Sequence, residues 1–151
     1  MAFESPDQLD VIQLIDELDA YQKPLYPEAS HHGIDIDALM QPNVVFAVVR
    51  TPKGHAIGCG AAVIEPGYGE LKRMYIRPGH RRNGIAWALL AFLEAEAIAR
   101  GCTLLTLETG VHQHAAIGLY ARAGYVRCDP FGGYTRDPHS LFMQKTARKS
   151  G

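Results

Sequence analysis

Residues 70–100 constrain the fold most, because they predict a strand, a short basic loop and a long helix in succession. Bulky side chains fill the strand, residues 70–76, and Pro78 ends it, since proline cannot donate a hydrogen bond to a β-ladder. Apolar residues then recur every three or four positions from 86 to 97, which is the period of an amphipathic helix. The helix is expected to begin near Gly84 and to end before Gly101, since glycine favours the position after a helix.

The basic loop before this helix has the features of an anion site. Asn83 is the expected N-cap, and no acidic residue follows in the first turn to bond the free main-chain N–H groups. Such groups and the positive end of the helix dipole attract anions. Arg81 and Arg82 add cations, and Gly84 has no side chain to block an approach. These residues by themselves fit either a phosphate site or an ordinary basic turn.

The remaining pattern predicts one domain over residues 1–151, with residues 1–4 and 146–151 peripheral or frayed. The central strand and residues 103–107 flank the long helix, so this crossover should make them parallel neighbours. Residues 44–49 and 56–64 are joined by a short turn and should form an antiparallel hairpin. The other expected elements are a strand at 2–4, helices at 5–20, 34–40 and 113–123, and strands at 125–128 and 141–145.

The composition excludes several classes of protein. With 47% hydrophobic residues, 21% charged residues and a net charge of −1, the chain is typical of a globular protein without general affinity for nucleic acid. Three cysteines without a C-x-x-C pair argue against a disulfide framework. No apolar run reaches the roughly 20 residues of a membrane span, and no signal peptide is apparent, so a cytoplasmic protein is expected. Gly58-x-Gly60 lies inside a predicted strand and is not a dinucleotide loop.

Two motifs resemble a known family. Arg81-x-x-Gly84-x-Ala86 resembles the Q/R-x-x-G-x-G/A acyl-CoA signature of the GNAT superfamily of N-acetyltransferases, with Ala86 in place of the commoner glycine. The run from Leu119 to Tyr125 looks like the LYxxxGF/Y segment of that family, and the resemblance extends from about residue 5 to 145. It implies an α/β fold with a mixed, mostly antiparallel sheet, a central parallel splayed strand pair and about four flanking helices.

The resemblance also implies acetyl-CoA as cosubstrate. Main-chain groups of the central strand would place the thioester arm in the gap between the splayed strands, and the amides of the basic loop would hold the pyrophosphate. Gln113 stands where many members have asparagine. The implied cofactor contacts are Met74, Tyr75, Ile76, Arg81, Arg82, Asn83, Gly84, Ile85, Ala86, Gln113 and Tyr120.

Acetyl transfer to an amine needs an acid for the leaving thiolate and a base for the amine. By resemblance Tyr120 is the acid, although its place on an apolar helix face also fits a core aromatic. Glu70 is the first candidate for the base and Glu108 the second, and either could instead pair with a nearby Lys72 or Arg73. Histidines with better matched pKa values are alternatives: His31, His32, His112 and His114.

Acceptor contacts are expected from Glu28, His31 and His32 between the first two helices and from Tyr134 in the loop before the last strand. Each could instead serve its own loop, Tyr134 as an aromatic plug. The histidine spacing fits no standard zinc pattern, so no metal site is expected. The expected function is transfer of an acetyl group from acetyl-CoA to a primary amine of a small molecule by direct attack in a ternary complex. The alternatives are an acyl-CoA-binding regulatory domain and an interaction domain for another anion, and a homodimer is compatible with the resemblance.

Overall fold

A crossover from strand to helix to strand organises the molecule, as the pattern of residues 70–107 predicts. The computed structural model describes residues 1–22, 36–81 and 83–147. Within these ranges the strands are β1 (Ala2–Phe3), β2 (Val44–Arg50), β3 (Ala56–Glu65), β4 (Tyr68–Ile76), β5 (Leu104–Gly110), β6 (Val126–Arg127) and β7 (Ser140–Thr146). The helices are α1 (Leu9–Gln22), α2 (Ile36–Leu39), α3 (Ile85–Ala99) and α4 (His114–Arg122), with a 3-10 turn at Pro78–His80.

The strands form one sheet in the order β1-β2-β3-β4-β5-β7-β6. Every neighbouring pair is antiparallel except β4 and β5, which are parallel. Their pairing runs only from Tyr68↔Leu104 to Leu71↔Leu107, although the two strands continue to Ile76 and Gly110. The predicted fold class is therefore confirmed, and the parallel pair splays apart at its carboxyl end.

A β-bulge lies in β4 next to the point of divergence. Ala61 pairs with Lys72 and Cys59 with Tyr75, so two residues of β4 oppose Gly60 alone. Arg73 has a φ of 57°, which lies in the left-handed region that side-chain-bearing residues rarely adopt. A bulge increases the local twist of its strand. The free edge of β4 therefore begins next to a strongly twisted segment.

Two apolar layers cover the sheet, one on each face. Leu89, Leu90 and Leu93 of α3 pack with strand residues such as Leu71 and Leu107 on one face. The helices α1 and α2 cover the other face through side chains that include Val11 and Leu39. Gly60 permits α3 to approach closely, since a Cβ built there would lie 2.9 Å from Leu93 Cδ1. A side chain at this position would therefore push the long helix away from the sheet.

Several predicted boundaries were wrong. The N-cap of α3 is Gly84, with a φ of 75°, and not Asn83. The first helix begins at Leu9, because Ser5 Oγ accepts the N–H of Asp7 in a turn that precedes it. β5 extends to Gly110. Ala147 is not frayed as expected: it is buried, and its N–H donates a hydrogen bond to the main-chain oxygen of Thr103 at 2.9 Å. Residues 148–151 lie outside the described residues.

Candidate functional site

The free edge of β4 faces the gap between the splayed strands. No pairing with β5 continues past Leu71, so the main-chain groups of Met74, Tyr75 and Ile76 on that side have no strand partner in the described part of the sheet. One of them is occupied, because Arg81 Nε donates a hydrogen bond to the oxygen of Ile76 at 2.8 Å. The Arg81 guanidinium also lies 5.7 Å from the ring centres of Tyr75 and of Tyr21. Arg81 therefore lies against the end of the strand.

The start of α3 lies at the same end of β4 and is open. No side chain caps it, and its first turn contains no acidic residue. The first helical bond runs from Ala88 N–H to the oxygen of Gly84, so the N–H groups of Ile85, Ala86 and Trp87 find no acceptor among the described residues. A Cβ built at Gly84 would meet nothing within 4 Å. Residue 82, a predicted contact, lies outside the described residues, and Asn83 is exposed. This corner can accept a phosphate group from the solvent side.

Tyr120 lies on α4 with only 6% of its surface exposed. Its ring packs edge-on against Tyr125, with ring centres 5.8 Å apart. Its hydroxyl neither donates nor accepts a hydrogen bond within the described residues. Burial raises the pKa of Tyr120 well above the ordinary value, so the phenol stays protonated at neutral pH. A buried hydroxyl without a partner is uncommon and points to a role beyond packing.

Glu70 is buried on β4 beside Tyr134 and Lys72. Tyr134 Oη donates to Glu70 Oε2 at 2.6 Å, and Lys72 Nζ lies 3.2 Å from the same oxygen. The predicted alternative, a pairing of Glu70 with Lys72, is thus present. Burial and the hydrogen bond to Glu70 raise the pKa of Tyr134 far above its ordinary value. Tyr134 also packs against Phe131 and Phe142, so it fills its loop as an aromatic plug and bonds Glu70 at the same time.

Glu108 lies within β5 and accepts a hydrogen bond from Ser140 Oγ at 2.7 Å. Gln113 is the N-cap of α4, but its side chain makes no capping bond. His112 and His114 are exposed near the start of that helix. Glu28, His31 and His32 lie outside the described residues. No group of three metal-ligating side chains occurs in the ranges that the structure describes.

Sequence reasoning did not assign a role in the site to Lys72. Its position two residues after Glu70 was a usable signal, because residues i and i+2 of a strand share one face. The neighbouring Arg73 bonds Asp19 of α1 instead. The bulge at Arg73 was also missed, since nothing in the strand sequence marks the extra residue.

None of the three cysteines lies in an environment that favours a thiolate. Burial raises the pKa of Cys59 to about 12. Burial also raises the pKa values of the Cys102 and Cys128 thiols. A reactive cysteine needs a lowered pKa, usually from a nearby cation or helix N-terminus. The chain therefore lacks an activated thiol nucleophile.

The chain is similar to known acetyltransferases in sequence and in fold. The profile of the acetyltransferase (GNAT) family matches residues 11–125. The IAA acetyltransferase of Azospirillum brasilense is 48% identical over 147 residues, which cover 96% of this chain and 95% of the relative. A Klebsiella pneumoniae protein assigned as an acyl-CoA N-acyltransferase has a TM-score of 0.84 at 43% identity, over 96% of this chain and 94% of that one.

A more distant solved structure shares the fold alone. It is a PaiA N-acetyltransferase from Thermoplasma acidophilum in complex with coenzyme A, with a TM-score of 0.71 and 16% identity over 97% of this chain and 100% of that chain. No helix in the described ranges has the length and apolarity needed to cross a membrane.

Proposed function

The chain belongs to the acetyltransferase (GNAT) family, and we propose that it transfers an acetyl group from acetyl-CoA to a primary amine of a small molecule. The observation that carries the proposal is a set of three features on successive elements of the chain. They are the free edge of β4, the open start of α3 and, on α4, the Tyr120 hydroxyl, which has no hydrogen-bond partner among the described residues. Tyr120 and Ile76 of β4 belong to the same apolar cluster.

The cofactor's pyrophosphate would be held at the start of α3. The unbonded N–H groups of Ile85, Ala86 and Trp87 supply donors, and the helix dipole supplies a positive potential. Gly84 leaves room for the phosphates, because the space beyond its Cα is open. Asn83 is exposed beside them and adds a polar side chain. Arg81 supports the corner from the strand side through its bond to Ile76.

The thioester arm would lie along the free edge of β4. Acetyl-CoA supplies, when bound, a thioester carbonyl that is activated toward attack by an amine. On the side that faces the gap, main-chain groups of Met74, Tyr75 and Ile76 would fix its position, since no strand pairs with them there among the described residues. The Ile76 oxygen is the exception, because Arg81 Nε already donates a hydrogen bond to it. Alignment of this kind can supply an effective molarity of about 10⁵ M or more.

Glu70 and Tyr120 handle the two protons. Glu70 takes one proton from the acceptor's ammonium group, directly or through one water, and the amine so freed attacks the thioester carbonyl carbon. The nitrogen loses a second proton as the amide forms, and that proton replaces the one that Tyr120 gives up. Tyr120 gives its phenolic proton to the departing sulfur as the carbon–sulfur bond breaks. The phenol carries its proton before the reaction, since burial raises its pKa. Glu108 is the second candidate for the base, held by Ser140.

Direct attack in a ternary complex is favoured over a covalent acyl-enzyme. A ping-pong route through cysteine would need a thiolate, whereas burial raises the pKa of each of the three thiols. Initial-velocity plots at several acceptor concentrations should therefore intersect rather than run parallel. A cytoplasmic location is part of the proposal, supported by the free state of all three cysteines.

The acceptor is tested by a panel with acetyl-CoA, read by thiol release and by the mass of the acetylated product. The panel holds amino acids, polyamines, aminoglycosides, peptide N-termini and IAA, the compound in the name of the Azospirillum relative. We expect at least one primary amine to release thiol faster than the hydrolysis control. Binding of coenzyme A without turnover on any acceptor would instead identify a regulatory domain. A preference for IAA over every amine would show that the proposed acceptor class is wrong.

The phosphate corner is tested by two nearly isosteric changes at one position. Gly84→Asp and Gly84→Asn both place a small polar side chain in open space, and both residue types tolerate a positive φ better than most. Only aspartate adds a negative charge at the helix start. We expect the Asp variant to bind coenzyme A at least about tenfold more weakly than the Asn variant in calorimetry, a difference of about 1.4 kcal/mol. Equal affinities would place the phosphates elsewhere.

A further inference from the structure

Three polar atoms from two distant parts of the chain meet next to the gap. Lys72 Nζ donates to Tyr134 Oη at 2.6 Å, and Tyr134 Oη donates to Glu70 Oε2 at 2.6 Å. The ammonium group also lies 3.2 Å from that carboxylate oxygen, which closes a triangle. The side chains of Lys72 and Glu70 are only 13% and 11% exposed. Charge-assisted bonds of this length at a site largely removed from water are stronger than ordinary surface contacts.

The position of the Tyr134 oxygen is fixed by packing. The ring contacts Phe131 at 5.3 Å and Phe142 at 5.4 Å between ring centres, and Phe131 also packs against Tyr68. The N–H of Tyr134 bonds the oxygen of Phe131 within the loop. Lys72 lies 5.3 Å from the Tyr134 ring centre, in the range of a cation–π contact. The loop therefore holds the Tyr134 hydroxyl in a fixed position beside Glu70.

The two oxygens of Glu70 have different surroundings. Oε2 accepts a hydrogen bond from Tyr134 and forms an ion pair with Lys72. No group within the described ranges donates a hydrogen bond to Oε1. A carboxylate oxygen buried to this extent normally has a donor. With Oε2 held, the carboxylate plane cannot rotate freely, so Oε1 keeps one direction.

On the basis of the function proposed above, we propose that Lys72 and Tyr134 are positioning residues that orient Glu70 for the acceptor amine. They hold Oε2, and Oε1, which receives no hydrogen bond from the described residues, accepts the proton of the acceptor's ammonium group. A primary ammonium fits this environment, because it can donate to Oε1 without displacing Lys72.

The test is a double-mutant cycle on the full-length enzyme with the acceptor that the panel identifies. The variants are Lys72→Met, Lys72→Arg, Tyr134→Phe, Glu70→Gln and the combination of Lys72→Met with Glu70→Gln. If Lys72 acts through Glu70, the double variant is no slower than Glu70→Gln alone, since residues that act as one unit are not additive. Lys72→Met and Tyr134→Phe should each lower kcat by about tenfold, which corresponds to about 1.4 kcal/mol of transition-state stabilisation.

Three further readouts separate a positioning role from a structural one. The affinity for coenzyme A, measured by calorimetry, should stay unchanged in Lys72→Met and Tyr134→Phe, because neither residue lies at the phosphate corner. Lys72→Arg should recover part of the lost kcat, since it keeps the charge. Tyr134→Phe keeps the aromatic packing. If Lys72→Met does not fold, Tyr134→Phe by itself tests the positioning role.

The outcomes distinguish this inference from the proposed function. If the wild-type protein turns over no acceptor, the proposed function fails and the inference fails with it. If the wild-type protein is active but the losses of Lys72→Met and Glu70→Gln add, or Tyr134→Phe keeps its full kcat, only the inference is overturned. Acetylation of Lys72 itself, seen by mass spectrometry after turnover, would also overturn it, because Lys72 would then be an acceptor.

Discussion

Replacing Tyr120 with phenylalanine should change stability and activity in opposite directions. The hydroxyl is buried and has no hydrogen-bond partner in the described residues, whereas in the unfolded chain it is hydrated. Phenylalanine keeps the ring and its contact with Tyr125 while it removes the partnerless polar atom. We expect the free energy of unfolding to stay equal or to rise by up to about 1 kcal/mol, since an unsatisfied buried group costs about 1–3 kcal/mol. For a chain of this size 1 kcal/mol corresponds to roughly 2–4 °C in Tm.

The same substitution should lower kcat, because it removes the proposed acid for the leaving thiolate. General acid catalysis contributes about 10²–10⁴-fold, so a loss of about a hundredfold or more is expected at neutral pH. The KM for acetyl-CoA should change little, since the hydroxyl is assigned a role only as the sulfur leaves. Thiol release under saturating substrate measures this loss.

Tyr125→Phe is the matched control. Its hydroxyl is also buried, but it donates to Glu94 Oε2 at 2.7 Å. Hydrogen bonds to charged groups contribute about 1.5–3 kcal/mol, so this variant should lose stability in urea unfolding. It should keep the wild-type kcat. If Tyr120→Phe instead loses stability as Tyr125→Phe does and keeps full activity, Tyr120 is only a core aromatic and the assigned acid is wrong.

Two further predictions concern stability. Gly58→Ala should cost about 1–3 kcal/mol of unfolding free energy, because the added Cβ would lie 3.0 Å from a main-chain oxygen of β4. Gly79→Ala, where a Cβ meets nothing within 4 Å, should stay near wild type. Hydrogen bonds from Arg50 lower the pKa values of Glu4 and Asp10. A carboxylate whose pKa is lowered in the folded state stabilises the fold at neutral pH. This contribution to the free energy of unfolding is lost as the pH falls below about 4 and the group is protonated. Arg50→Met should therefore lose less stability on acidification than wild type, as followed by thermal unfolding across pH.

The topology at the centre of the sheet could be predicted from sequence because it depends on local signals. Pro78 ends one strand, apolar residues of helical period follow, and a crossover of this kind makes the flanking strands parallel. The N-cap was placed at Asn83 on side-chain preference, whereas Gly84 occupies it because the backbone there needs a positive φ. That requirement arises from the path of the chain between β4 and α3, which no single residue type reveals.

The site was predictable only in part, because its contacts join residues that are far apart in the chain. Tyr120 lies in a family motif and Glu70 on the central strand, which is why roles could be proposed for both. One partner of Glu70, Tyr134, is 64 residues away in the chain. The bulge at Arg73 depends on the register against Gly60, a tertiary property. The contact of Tyr134 with Glu70 results from aromatic packing of its loop on Phe142. Long-range pairing of this kind leaves no periodic trace in one sequence.

Amide NMR of the ¹⁵N-labelled protein titrated with coenzyme A tests the central claim most directly. If the cofactor lies where proposed, the N–H resonances of Ile85, Ala86 and Trp87 and those on the free edge of β4 should shift most and exchange more slowly with solvent. If those amides keep their free shifts at saturation while another region responds, the phosphates and the thioester arm bind elsewhere, and the assignments built on this corner are wrong.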